Sequence, residues 1–143
     1  MPRYWIMVAA RSHVQDACAG GFIQLGSGRW AGYLQRMAPG DRIVCYSPAE
    51  CPRGNDPCQR FTALGEVRPG DIYRVRLHED FAPYRRAVNF EACREISARA
   101  LLGELSFIHN KRAWGARFRR TCFEIQVADY LAIRRVMKEG GQT

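Results

Sequence analysis

Lys111-Arg112-Ala113-Trp114-Gly115-Ala116-Arg117-Phe118-Arg119-Arg120 packs five cations and two aromatics into ten residues. Cations follow phosphates and aromatic faces stack on bases, and a groove for single-stranded nucleic acid needs both. Lys111, Arg112, Arg117, Arg119 and Arg120 are therefore the candidate phosphate ligands, and Trp114 and Phe118 the candidate stacking faces. The competing reading is a solvated basic face with Trp114 and Phe118 tucked into the core. A second constellation is Arg11-Ser12-His13, which follows an apolar run. A helix starting there, with Ser12 as N-cap, presents backbone N–H groups to an anion or a base edge, or Ser12 is simply a plain N-cap. A third is Tyr46-Ser47-Pro48 at the end of another apolar run. Tyr46 can wall a pocket and Ser47 can hydrogen-bond a ligand, or the segment is a plain strand exit.

Catalytic signatures are missing. The chain holds no Gly-x-Ser-x-Gly, no phosphate-binding glycine loop and no metal signature. His78-Glu79-Asp80 reads as a turn. The six cysteines, at 18, 45, 51, 58, 93 and 122, form no Cys-x-x-Cys pair and stand at no zinc spacing from the three histidines. Cys45, Cys93 and Cys122 lie in apolar runs, where a free thiol acts as a small hydrophobe. Cys51 and Cys58 flank a loop, where a disulfide or a metal is a minor alternative. The expectation is a binding protein rather than an enzyme, with no cofactor and no metal.

The elements that must position these residues belong to one domain, 1–143, since 143 residues with 47% apolar and 25% charged side chains describe an ordinary globular chain. No run approaches a membrane span of roughly 20 apolar residues. The opening residues do not read as a signal peptide, and a cytoplasmic protein is expected. The net charge of +8 attracts polyanions, nucleic acid first. Nearly all the cations are arginine, whose guanidinium grips phosphate bidentately and stacks on bases.

Apolar alternation predicts strands at 3–9, 22–25, 42–46, 61–67, 72–77, 86–93 and 118–125. In 42–46, Ile43 and Cys45 point one way and Val44 and Tyr46 the other. Helices are expected near 11–19, closed by Gly20-Gly21, over 98–105, and near 127–138, where Val127, Tyr130, Leu131, Ile133 and Met137 share a face. Gly26-Ser27-Gly28 and Pro39-Gly40-Asp41 are turn signals, and 48–58 is a surface loop. The sum is an α+β chain: a mixed barrel of five to seven strands, flanked by helices.

Several stretches resemble the EVE-domain family, particularly its short stand-alone prokaryotic members. They are Tyr4-Trp5-Ile6; Pro39-Gly40-Asp41 with Arg42-Ile43-Val44-Cys45-Tyr46-Ser47; Pro83-Tyr84-Arg85-Arg86; and, most specific, Ser106-Phe107-Ile108-His109-Asn110-Lys111-Arg112-Ala113-Trp114-Gly115. The resemblance runs from about residue 3 to residue 137. It implies a PUA-like fold, similar in shape to YTH and ASCH domains, with an aromatic-lined pocket for a flipped, often modified, nucleobase. Family members fused to restriction systems read modified cytosine in DNA; for stand-alone members, modified DNA and modified RNA both stand. By this resemblance Arg11, Ser12 and His13 sit beside the pocket. Phe22 falls where related members carry Trp, and Tyr46, Ser47 and Trp114 match. The expected pocket is thus Arg11, Ser12, His13, Phe22, Tyr46, Ser47, Trp114 and Phe118, with Trp114, Tyr46 and Ser12 in one cavity. The alternative function is a small-ligand protein holding a free nucleotide or nucleoside in the same pocket. A weaker one is an adaptor that uses its basic face on protein partners.

Overall fold

In the computed structural model, residues 1–26 and 28–139 are described, without the side chains of residues 28–30. Strand β1 (Tyr4–Val8) leads into helix α1 (Arg11–Gly20), then β2 (Phe22–Leu25), α2 (Gly28–Arg36), β3 (Arg42–Ala49) and β4 (Pro57–Val67). After these come β5 (Tyr73–Arg74), β6 (Tyr84–Glu91), β7 (Ile96–Ser97), β8 (Cys122–Ile125) and α3 (Val127–Glu139). Two short 3-10 turns, Ala98–Leu101 and Trp114–Arg119, precede β8. The strands join in the order β2-β6-β4-β3-β1-β8, with β5 on β6 and β7 on β4. β1 and β3 run parallel and the other pairs antiparallel, so the mixed sheet curls into a half-barrel.

The sheet has an apolar core on each face, because alternation along β3 divides its side chains. Ile43 and Cys45 join Trp5, Met7, Val14, Ile23 and Leu34 on the α1/α2 side. Val44 and Tyr46 join Ile6, Phe61, Trp114, Phe118 and Tyr130 on the α3 side. The opposed directions expected for these four residues are the ones observed.

Asp41 ties the start of β1 to the turn before β3. Its buried carboxylate accepts from Arg3 N (2.9 Å), Trp5 Nε1 (3.1 Å) and Ala38 N (3.0 Å). The turn needs Gly40, whose φ of 93° lies in the left-handed region. Asp41→Asn swaps one acceptor oxygen for a donor that faces donors. We expect a loss of about 2 kcal/mol in urea unfolding with an unchanged m-value. A loss under about 0.5 kcal/mol would show that the carboxylate is not the tie.

Several expected boundaries are corrected. The sheet among the described residues has eight strands, beyond the expected five to seven, because the two-residue β7 adds to the seven expected runs. The strand expected at 72–77 pairs only at Tyr73–Arg74. Pro83 opposite has no N–H, so the ladder continues there only as Val75 N–H to Pro83 O (3.1 Å). The 98–105 helix reduces to one 3-10 turn, capped by Ser97 and followed by Gly103. The strand expected from 118 begins at Cys122, since Phe118 belongs to a 3-10 turn that buries it with Trp114. The 48–58 loop is narrower than expected: β3 reaches Ala49 and β4 starts at Pro57. α1 starts one residue before Ser12, with Ala10 as N-cap and no side-chain cap. Its close is as expected, on Gly21 at φ 74°. Ser27 of the expected turn lies outside the described residues. α2 was not anticipated; its signal is Ala31, Leu34 and Met37, all buried.

Candidate nucleobase cavity and basic segment

A cavity of about 240 Å³ lies on the α1/α2 face of the sheet, under α1, β2 and the excursion that joins β5 to β6. Its floor is Met7, Val14, Ile23 and Cys45, all buried. His13, Asp16 and Leu77 on its rim are exposed, and Phe22, Gln24, Phe81 and Arg85 are half-buried. The volume lies below the usual range of drug-sized pockets, roughly 300–1,000 Å³, and suits one small ring system. Burial pushes the Cys45 thiol far above its ordinary value. It therefore keeps its proton and acts as apolar floor, not as a nucleophile beside His13.

The mouth has a defined stack. The Arg85 guanidinium lies over the Phe22 ring, 3.8 Å from its centroid. Arg85 Nε donates to Gln24 Oε1 at 2.8 Å, which fixes the plane of the guanidinium. Gln24 and Arg85 are direct cross-strand partners, so they share a face. Behind the ring is Gly20: a Cβ there would lie 2.3 Å from the Phe22 ring. A glycine closing α1 is what lets the ring sit at the cavity wall.

The expected pocket residues divide between the two faces. His13 and Phe22 line the cavity. Tyr46, Trp114 and Phe118 meet on the opposite face, and the sheet stands between the two groups. Tyr46 stacks on Phe118 with centroids 3.9 Å apart and planes at 20°, and Trp114 meets both edge-on at 6.4 and 6.2 Å. No base fits between rings already in contact. Burial pushes the Tyr46 phenol far above its ordinary range, so it stays neutral. Ser47 is fully buried and shares a 2.9 Å hydrogen bond with Thr62 Oγ1. Ser12 spends its N–H on Glu50 O (3.0 Å), so that group is not offered to a ligand. Arg11 binds Glu95 through Nε (2.9 and 3.0 Å) and reaches Glu50 at 3.4 Å. The hydrogen bond and charge of Glu95 raise its already high pKa. Arg11 thus holds α1 to the chain at 50 and 95, and the single cavity expected for Trp114, Tyr46 and Ser12 does not form.

The basic segment is mostly exposed. Lys111, Arg112, Arg119 and Arg120 are exposed and Arg117 is half-buried over the Phe123 ring at 4.6 Å. None of the five takes part in an ion pair among the described residues. Thr121, the residue after the segment, accepts from Val8 N–H at 2.9 Å, and Val8 lines the cavity. A second, more open depression of about 340 Å³ runs along Phe107, His109, Asn110, Trp114 and Arg117. Its Asn110 side chain is already engaged, accepting from Arg112 N and Ala113 N.

Sequence reasoning missed Gln24, Phe81 and Arg85. Arg85 stands in the Pro83-Tyr84-Arg85-Arg86 stretch that resembles the family, but its pairing with Gln24 depends on which strands pair. The six cysteines are free, and no group of metal-ligating side chains gathers among the described residues. No helix among those residues is long and apolar enough to cross a membrane.

The curled mixed sheet with helices on its faces is a PUA-like fold. The family model of the EVE domain matches residues 3–136, and the chain belongs to that family. The "UPF0310 protein in gntR 5'region" of Bacillus licheniformis is 43% identical over 90% of this chain and 88% of its own length. A UPF0310 protein of Mycobacterium avium is 38% identical over 94% of this chain and 97% of its own. Among solved structures, a hypothetical protein from Leishmania major aligns with a TM-score of 0.63 at 12% identity, covering 99% of this chain and 98% of that one. The Pho92 YTH domain in complex with m6A aligns with a TM-score of 0.56 at 13% identity, covering 96% of this chain and 84% of that one.

Proposed function

We propose that this protein binds nucleic acid and takes one nucleobase, extruded from its strand, into the cavity beside Phe22. The observation that carries the reading is the Phe22–Arg85 stack at the mouth of an apolar-floored cavity. Extruding a base costs a few kcal/mol. A stacking face returns about 1–3 kcal/mol per base, so Phe22 alone falls short. His13, Asp16 and Gln24 supply the hydrogen bonds to the base edge that make up the difference, while Met7, Ile23 and Cys45 exclude water. The m6A named with the Pho92 YTH domain is a methylated base on a similar fold, and it favours a modified base as the guest. Tyr46, Trp114 and Phe118 act one step back: their packing holds the 114–119 turn, and Arg119 and Arg120 leave it as phosphate contacts. We read the protein as a binding module, not an enzyme.

Charge reversal tests the polymer half of this reading. Arg119→Glu with Arg120→Glu should weaken binding of a single-stranded oligonucleotide. It should also flatten the plot of log K against log salt by about 1.4, at roughly 0.7 per lost phosphate contact. Fluorescence anisotropy from 50 to 300 mM salt measures both. An unchanged slope would mean that the segment is a solvated face. A salt-insensitive wild type that binds nucleosides would favour the small-ligand alternative.

A further inference from the structure

Arg85 has cross-strand partners on both sides of β6. Gln24 of β2 is one and Tyr73 of β5 is the other. Direct partners across a ladder point to the same face, with Cβ atoms about 5 Å apart. Gln24, Arg85 and Tyr73 therefore form one row across β2, β6 and β5, in which Gln24 and Arg85 line the cavity, and Phe22 stands next to Gln24's end of it. Tyr73 is 43% exposed, one of a few large side chains with apolar area left open to solvent. It forms no ring or cation stack among the described residues, whereas Arg74, its neighbour on the other face, is stacked on Tyr84 at 5.0 Å. The row thus reads aromatic, guanidinium, aromatic: Phe22 at the cavity, Arg85 between, Tyr73 outside.

We propose that Tyr73 is the stacking platform for the nucleotide next to the one held in the cavity, and that Arg85 holds the phosphate linking them. This rests on the nucleobase reading above and makes the ligand a strand, not a free nucleoside. Arg85 is suited to the bridge. Its Nε is committed to Gln24 and its face to Phe22, which leaves the terminal nitrogens for a phosphate oxygen. The net charge of +8 draws a polyanionic strand to the protein. Stacking on an exposed ring is tolerant of sequence, so Tyr73 adds affinity without choosing the flanking base.

The test compares two ligands on wild type, Tyr73→Ala and Tyr73→Phe. One is a fluorescein-labelled nine-nucleotide single strand, as RNA and as DNA, with one central N6-methyladenine. The other is N6-methyladenosine alone, followed by calorimetry. Tyr73→Ala should lose about tenfold on the strand and stay within twofold on the nucleoside, and Tyr73→Phe should keep wild-type affinity for both. A Tyr73→Ala protein that binds the strand like wild type, or loses equally on strand and nucleoside, overturns the platform and leaves the cavity reading standing. A wild type that binds neither strand, nor an unmodified single strand of the same length, overturns both.

Discussion

Replacing Trp114 with Ala should cost about 3–5 kcal/mol of stability, the range for deleting a large buried aromatic. Trp114 is 7% exposed and sits edge-on to Tyr46 and Phe118, with Arg99 over its ring at 5.4 Å. Deletion opens a cavity among rings that cannot collapse, because Tyr46 and Phe118 are already in face contact. Against a total of about 5–15 kcal/mol for a protein of this size, the loss is about a fifth or more. Equilibrium denaturation measures it. Trp114→Phe should recover about half, since it keeps a ring at the same Cβ. If Trp114→Ala unfolds like wild type and loses oligonucleotide binding, the ring serves ligand and not core, and the assignment of the two faces is wrong.

Phe22→Ala should do the opposite: leave stability within about 1 kcal/mol and cut binding of a strand carrying N6-methyladenine by about 30- to 100-fold. The ring is half-buried at the end of a short strand, so little core is lost. The binding loss has two sources. The base loses its stacking face. Arg85 loses the surface that flattens its guanidinium, and is left tethered by Nε alone. Gly20→Ala offers an independent check, because its Cβ would push the ring aside without removing it. It should reproduce most of the binding defect while the ring's apolar area stays in place. Full affinity in folded Phe22→Ala would end the assignment of this cavity.

What was legible in the sequence follows from the range over which each signal acts. Alternation along 42–46 is local, and it correctly sent Cys45 and Tyr46 to opposite faces. Gly20-Gly21 and Pro39-Gly40-Asp41 are backbone punctuation, and both turns formed where expected. The error came in combining them. Phe22, Tyr46 and Trp114 were grouped by the family resemblance and as stacking aromatics, yet the same alternation already placed Tyr46 on the face away from Cys45. The Arg85–Gln24–Tyr73 row was out of reach because it exists only through pairing of β2 and β5 with β6. Arg11 shows a further limit: its type suits phosphate, but Glu95 lies 84 positions away and claims it first.

The place of β1 in the sheet bears on how the chain is made. It lies between β3, a close follower, and β8, which arrives more than a hundred residues later. At roughly 5–20 residues per second on the ribosome, one edge of β1 waits many seconds for its partner. Trp5-Ile6-Met7-Val8 is apolar throughout, the kind of run that recruits other chains when its hydrogen-bonding edge is open. Substitutions that slow the closing of β8, such as those around Cys122 and Phe123, would thus cost yield through aggregation at birth, even where the finished fold tolerates them.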